Sequence, residues 1–378
     1  MALLNKRRLA VFMLGSLFLN TSNSKAQKID TISTLSVTAY IDAYYAHYTD
    51  SVEPGNFQKF PDASPRNNAP SLNIASLAMQ YNSDKVRAAF VLNYGDIATA
   101  VFPHPYNNIL EAHVGFKVYS KLWIDAGFFR PHFGTEYILP VENIATSVAV
   151  ATVYEPSYES GIKFNFDPTS KLEINLFLLN GYNVYVNNKD QLAFGAGITY
   201  QLGAHGNIGY TNYIGPPNNK PAANLRIDQN IFYNYQIKKI RIQVGVDYCT
   251  QQNSDIATQS KTAGLYSALA TIKYQWTKKF GIYCRGELFQ DPDGFMSGVI
   301  TDVAGNKTGY KLWGATAGIE IKPTPESYVR LENRYIQMDK DQLIFINDGY
   351  VQNARYEVMV NAGVTFDLLK NIRTNKNE

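Results

Sequence analysis

Ile240-Arg-Ile-Gln-Val-Gly-Val-Asp-Tyr248 alternates apolar and polar residues without a break. Ile240, Ile242, Val244, Val246 and Tyr248 share one parity; Arg241, Gln243, Gly245 and Asp247 share the other. Successive side chains of a strand point to opposite faces, so this stretch reads as a strand with one apolar and one polar face. The last such segment repeats the pattern, with Tyr356, Val358, Val360, Ala362, Val364 and Phe366 set against Glu357, Asn361, Gly363, Thr365 and Asp367. Working outward from these two, about sixteen segments alternate in this way. They lie near 36–48, 70–82, 84–95, 108–119, 121–130, 158–167, 170–181, 189–201, 205–214, 226–236, 239–250, 261–276, 279–290, 310–322, 326–338 and 354–367. No helical stretch of comparable strength, linker or composition break interrupts them, so a single all-β domain is expected from 27 to 378.

The connections between segments alternate in length. Short ones fall at Asn82-Ser-Asp84, Ser120, Asp167-Pro-Thr-Ser170, Leu202-Gly-Ala-His205, Lys238, Thr277-Lys278 and Pro323-Thr-Pro325. Long ones fall at 49–69, 96–107, 131–157, 215–225, 251–260, 291–309 and 339–353, with a shorter one near 182–188. All turns then lie at one end and all loops at the other, which makes an up-and-down antiparallel meander. Charged residues share the polar parity in mid-strand, such as Glu111, His113 and Lys117 on one strand and Arg330, Glu332 and Arg334 on another. A soluble sandwich of this many strands would need two domains or a blade repeat, and neither is visible. The expectation is an up-and-down antiparallel transmembrane β-barrel of about sixteen strands, wide enough for an aqueous lumen. Tyr45, Tyr81, Tyr94, Tyr119, Tyr200, Tyr210, Tyr248, Tyr274 and Tyr356 near segment ends would form its interfacial girdles.

Composition excludes the competing classes. The 378 residues include 27 Tyr and 20 Phe but only 2 Cys, and 18 % are charged. Two cysteines make neither a disulfide scaffold nor a multi-cysteine zinc module. The formal charge of +3 without a basic cluster argues against a nucleic-acid partner. Lys6, Arg7 and Arg8 precede an apolar run from Leu9 to Leu19, and Ser24-Lys25-Ala26 resembles a cleavage site, so residues 1–26 read as a cleaved signal peptide. Its removal takes away Lys6, Arg7, Arg8 and Lys25 and no acid; four charges off +3 leave −1. The expected location is the cell outer membrane, with outer-membrane lipid as the surrounding partner and a homo-oligomer left open.

Leu122-Trp-Ile-Asp-Ala-Gly-Phe-Phe-Arg-Pro-His-Phe-Gly-Thr-Glu136 ends one strand, and Tyr154-Glu-Pro-Ser-Tyr-Glu-Ser-Gly161 opens the next. These stretches resemble the β-barrel porin-2 (OmpL-like) family of outer-membrane proteins, and the meander extends the resemblance over nearly the whole chain. One departure is the tail from Asp367 to Glu378, with Lys370, Arg373 and Lys376, where outer-membrane chains often end in an aromatic residue. The resemblance implies a porin passing small hydrophilic solutes by passive diffusion. It also implies that the third long connection, 131–157, folds into the lumen.

Candidate constriction residues are Arg130 at the base of that connection and His132, Glu136, Glu142 and Glu155 within it. Opposed acids and bases at a narrowing set up a transverse field on passing dipoles. Parity adds wall candidates: Glu111, His113, Lys117, Arg241, Arg285, Glu287, Arg330, Glu332 and Arg334, with Arg87, Arg226, Lys273, Asp42, Asp125, Glu173, Asp228, Asp247, Glu320 and Glu357 on the same face. Both signs are present, so strong ion selectivity does not follow. Alternatives are a docking or export component of a surface-assembly system, or a membrane-embedded hydrolase using His47 or His113. No nucleophile elbow or metal-binding helix supports the second, so no catalytic residue, cofactor or metal is expected. Asp291-Pro-Asp-Gly294 lacks calcium-loop spacing and reads as a turn. Cys249 and Cys284 take opposite parities two strands apart and are expected to be free.

Overall fold

The computed structural model describes residues 33–50, 52–187, 191–217 and 224–374, with backbone alone beyond Leu369. The expected signal peptide lies outside the described residues. The chain forms β1 (Ser33–Tyr48), β2 (Ser71–Asn82), β3 (Val86–Tyr94), β4 (Ile109–Tyr119), β5 (Leu122–Phe129), β6 (Glu159–Thr169) and β7 (Leu172–Leu179). It continues with β8 (Ala193–Gln201), β9 (Gly206–Gly215), β10 (Arg226–Ile237), β11 (Ile240–Gln251), β12 (Ala263–Gln275) and β13 (Phe280–Gln290). Small hairpins β14 (Ile300–Thr301)/β15 (Lys307–Thr308) and β18 (Phe345–Asn347)/β19 (Tyr350–Gln352) flank β16 (Lys311–Ile321) and β17 (Ser327–Met338), and β20 (Ala354–Thr374) ends the fold. Two short helices, α1 (Asp96–Val101) and α2 (Val150–Tyr154), lie in loops.

Each strand pairs antiparallel with its neighbours in sequence, and β1 pairs with β20 to close a barrel of sixteen strands. Hydrocarbon offers no hydrogen-bond partner, so a spanning sheet can leave no edge unpaired. The seam runs from Ser33↔Thr374 to Tyr48↔Glu357. The last strand therefore continues past Phe366: Asp367 to Thr374, expected as a trailing tail, pair with the start of β1. The physical reason is that β1 begins earlier than its apolar pattern does, and its free backbone groups need partners.

Parity sorts the faces as expected. On β11, Gln243, Gly245, Asp247, Cys249 and Gln251 are buried inside, while Val246 and Tyr248 are exposed outside. Cys249 is buried on the inner face and Cys284 exposed on the outer one. Among the expected girdle residues, Tyr45, Tyr81, Tyr94, Tyr119, Tyr200, Tyr248, Tyr274 and Tyr356 are exposed. Tyr210 is half-buried instead, donating from its hydroxyl to Gln229 Oε1 at 3.2 Å on the same outer wall.

Val360, on the outer face of β20 near mid-span, tests the lipid-facing assignment. Val360→Arg is expected to cost about 2–4 kcal/mol of folding free energy in bilayers, read from urea midpoints in lipid vesicles. A variant as stable as the parent would place that face elsewhere.

Candidate functional site: the third long connection and the inner wall

The third long connection leaves β5 and returns on β6 through two glycines that face each other in the ladder. Gly127 (φ 133°) pairs with Gly161 (φ 144°), and these are the glycines of the two motif stretches. L side chains rarely adopt such φ values. A Cβ on Gly127 would also strike the Ala112 carbonyl oxygen, and one on Gly161 the Leu178 carbonyl oxygen. Both glycines lie in the ladder just before the connection departs, and the pairing runs on to Phe129↔Glu159.

The connection crosses the lumen and is bonded to the opposite wall by its main chain. His132 anchors the near end: its ring stacks on Phe177 (centroids 4.0 Å apart), Nδ1 faces Glu159 Oε1 at 2.8 Å and Nε2 donates to the Asn212 carbonyl at 2.8 Å. Thr135 rests on Gly245, where any Cβ would collide with its hydroxyl, and its carbonyl accepts from Gln243 Nε2 at 2.8 Å. Asn143 bonds Tyr137 N–H and C=O, closing a tight turn. Arg330 then donates to the carbonyls of Pro140, Asn143 and Ala145 at 2.9, 3.2 and 3.1 Å. Glu332 accepts from Thr146 N and Ser147 N at 2.7 and 3.0 Å. Glu287 accepts from Val150 N at 2.7 Å, and Arg285 binds the Ser147 carbonyl at 2.6 Å and Glu136 at 3.1 Å. A buried main chain must find partners for every N–H and C=O, and here charged wall residues supply many of them.

A second segment enters from the first long connection, which sequence reasoning treated only as an outside loop. Asp62 lies 3.6 Å from Arg334 Nη1 and 4.0 Å from Arg355 Nη2. Arg355 also binds Glu357, Asp50 (2.9 Å) and Gln58 (2.5 Å) and sits 4.6 Å from the Phe60 ring centroid. Arg334 links Glu287 (2.8 Å) and Glu357 (3.4 Å). The only sequence signal for this entry was an acid with small neighbours, Asp62-Ala-Ser, in a long loop.

Apart from His132, which anchors the near end of the connection, the expected site residues divide into two groups. Glu136, Glu155, Arg285, Glu287, Arg330, Glu332 and Arg334 are buried in the contact between loop and wall; the Arg285 and Arg334 side chains are 0 % and 1 % exposed. Arg130, Glu142, Glu111, His113, Lys117 and Arg241 keep solvent contact. Arg130 grips Glu142 through both nitrogens of its fork and lies 3.6 Å from Glu111, which lies 3.4 Å from His113. The Arg130 and Glu142 side chains are each 27 % exposed, and Arg87 and Lys163 below them 23 %. Arg241 reaches the Glu142 carbonyl at 3.5 Å, and Lys117 lies 5.5 Å from the Trp123 ring centroid. His47, on the outer wall, bonds Asn68 at 2.9 Å. At Asp291, the carboxylate accepts from Met296 N, Ser297 N and Ser297 Oγ, as a turn requires.

Burial raises the pKa of two loop carboxyls. Burial pushes Glu155 well above the usual carboxylate range, and Asp247, Glu136 and Asp228 push the same way. Burial and then Glu357 push Asp62 up, against the pull of Arg334.

A family model described as "Putative beta-barrel porin-2, OmpL-like" matches residues 34–366. No curated protein matches the sequence. Among solved structures, OmpT of Vibrio cholerae is similar at TM-score 0.57 and 10 % identity, covering 90 % of this chain and 99 % of that one. The outer membrane channel DcaP of Acinetobacter baumannii is similar at TM-score 0.57 and 10 % identity, covering 92 % and 100 %. The anion-selective porin from Comamonas acidovorans is similar at TM-score 0.56 and 9 % identity, covering 88 % and 100 %. At such identities the likeness establishes the fold.

Gly161→Ala is expected to destabilise the barrel by about 1–3 kcal/mol through backbone strain. Gly286→Ala, whose Cβ would meet nothing within 4 Å, should be near neutral; equal urea midpoints would contradict the reading. Asp62 supplies a pH test. Its folded pKa is raised, so its packed state holds a proton that a free carboxyl releases above about pH 4. The stability it contributes is present in acid and is lost as pH rises. Amide protection over residues 58–64 should therefore fall from pH 5 to pH 8 after correction for intrinsic exchange, and Asp62→Asn should flatten the fall.

Proposed function

Because the chain belongs to the β-barrel porin-2 (OmpL-like) family, we propose that this outer-membrane porin passes small hydrophilic solutes along one side of its lumen, beside the third connection rather than through its middle. The observation that carries the proposal is the uneven wetting of the inner wall. Charges on β13 and β17 are dry and bonded to the third connection or to one another, and those on β20 to the first connection and to β17, whereas Arg87, Glu111, Arg130, Glu142 and Lys163 keep solvent contact. Arg87, Glu111 and Lys163 lie on the β3–β6 wall, below Arg130 at the loop end of β5 and Glu142 of the connection. A solute on this path meets Arg130 and Lys163 interleaved with Glu111 and Glu142, a field of mixed sign that favours dipolar solutes over either kind of ion.

The chain's export through a cleaved leader, its lipid surroundings and its assembly state form part of the same reading. The apolar outer wall supports lipid contact. The histidines support a channel rather than a hydrolase: His113 faces Glu111 and Asp125, and His47 faces Asn68, so neither addresses a serine hydroxyl.

Single-channel recording in planar bilayers tests the proposal. The parent should give stepwise ohmic openings with a small reversal potential in a salt gradient. Glu142→Ala should raise conductance, because it removes a side chain from the route and releases Arg130. Arg285→Ala should instead lower stability by about 3–5 kcal/mol, since it strands Glu136 and Glu287 in a dry contact. A folded barrel that stays silent would favour the docking or export role.

A further inference from the structure

The inner wall neutralises most of its arginines with acids, but Arg241 faces water without one. Arg285, Arg330, Arg334 and Arg355 each hold a carboxylate within the protein. Arg226 holds none, yet it is 6 % exposed and bonded to Gln251 at 2.6 and 3.0 Å. Arg241 is only half-buried, and among the described residues its hydrogen bond is the long one, 3.5 Å, to the Glu142 carbonyl. A guanidinium carries five N–H donors in a planar fork, so most of this fork is left to the lumen.

Arg241 opens onto a cavity of about 590 Å³ at the turn end of the barrel, beside the β8–β9 and β10–β11 turns. Gln201, His205, Asn234, Gln236 and Lys238 line it with Arg241, and no aspartate or glutamate does. Among the described residues no carboxylate comes within 4 Å of Arg241, Lys238 or His205. The ladder partners of Arg241 are Gln236 on β10 and Lys273 on β12. Lys273 is bound to Glu320, which also holds Arg330 at 2.9 Å and Lys322 at 3.7 Å. Three cations on one carboxylate leave an excess of positive charge, and Arg241 beside Lys273 adds to it. A concave wall carrying one sign of charge focuses its field and concentrates counter-ions. Water can solvate the fork but leaves the excess charge in place; an oxyanion meets both needs, and it matches the fork through two parallel bonds. The Glu142 carbonyl that Arg241 reaches belongs to the residue whose carboxylate borders the wetted route, so the cavity lies next to that route.

We propose that this cavity is a subsite for the oxyanion group, carboxylate or phosphate, of a solute in passage, with the Arg241 fork as its main contact and Lys238, His205 and Gln236 around it. The arrival of the solute rests on the porin reading; the binding itself can be measured without flux.

Calorimetric titration of the refolded mature barrel in detergent with sodium succinate, and separately with sodium phosphate at the same ionic strength, tests it. The parent should bind one oxyanion per chain. Uptake of succinate alone would assign the subsite to carboxylates, and uptake of phosphate alone to phosphorylated solutes. Arg241→Gln should weaken binding by more than about tenfold, while Lys59→Gln in the first outside loop should leave it unchanged. Heat-modifiable migration confirms that each variant is folded. In planar bilayers, succinate added on the turn side should reduce the chloride current of the parent and spare that of Arg241→Gln. A silent barrel that still binds succinate through Arg241 would remove the porin reading and keep the site. A parent that binds neither oxyanion, or a folded Arg241→Gln barrel that binds like the parent, overturns the proposal.

Discussion

The inner wall of this barrel treats the main chain of its third connection as a ligand. Arg330 collects three loop carbonyls, Glu332 two loop amides and Glu287 one, while Arg285 takes both a carbonyl and a carboxylate. A loop laid across a lumen loses water from its peptide groups, and each unpaired group left behind costs free energy on the order of 1–3 kcal/mol. Charged partners make stronger bonds than neutral ones and fix direction as well. The position of the loop, the dryness of one half of the lumen and the wetness of the other half all follow from which strands carry those partners.

The same arrangement explains why wall charge of both signs does not amount to an open charged pore. Arg334 and Arg355 share Glu357 and Asp62, and Arg330 and Lys273 share Glu320. Most of this charge is neutralised within the protein. Among the described residues, the column beneath Arg130 keeps its field directed at water.

The fold was legible because strand parity is a local property. The alternation at Ile240–Tyr248 and Tyr356–Phe366 reports burial directly, and the alternation of turn and loop lengths reports topology. The inward direction of Arg285, Glu287, Arg330 and Arg334 followed from the same rule. Their partners did not follow from it. That Arg285 meets Glu136 across 149 residues, or that Asp62 reaches Arg334, depends on how two irregular loops fold, and irregular loops carry no period. Gly127 and Gly161 could be seen in the sequence as motif glycines. Their pairing is visible only once β5 and β6 are in register. The extension of β20 to Thr374 was hidden for a different reason: its partner, the start of β1, has no strong alternation of its own.

The seam between β1 and β20 joins residues from opposite ends of the chain, as in the bond from Thr38 to Asp367, 329 residues apart. Every other strand pair can form as soon as its neighbour arrives, but this one waits for the final strand. Until then the growing sheet has two bare edges, and neither can rest in hydrocarbon. Joining such distant segments carries a large loop-closure entropy and makes assembly slow relative to local hairpin formation. The molecule thus has no stable partial form inside the membrane: a chain lacking its last strand is an open sheet exposed to aggregation and proteolysis, and its lifetime before closure depends on whatever shields those edges.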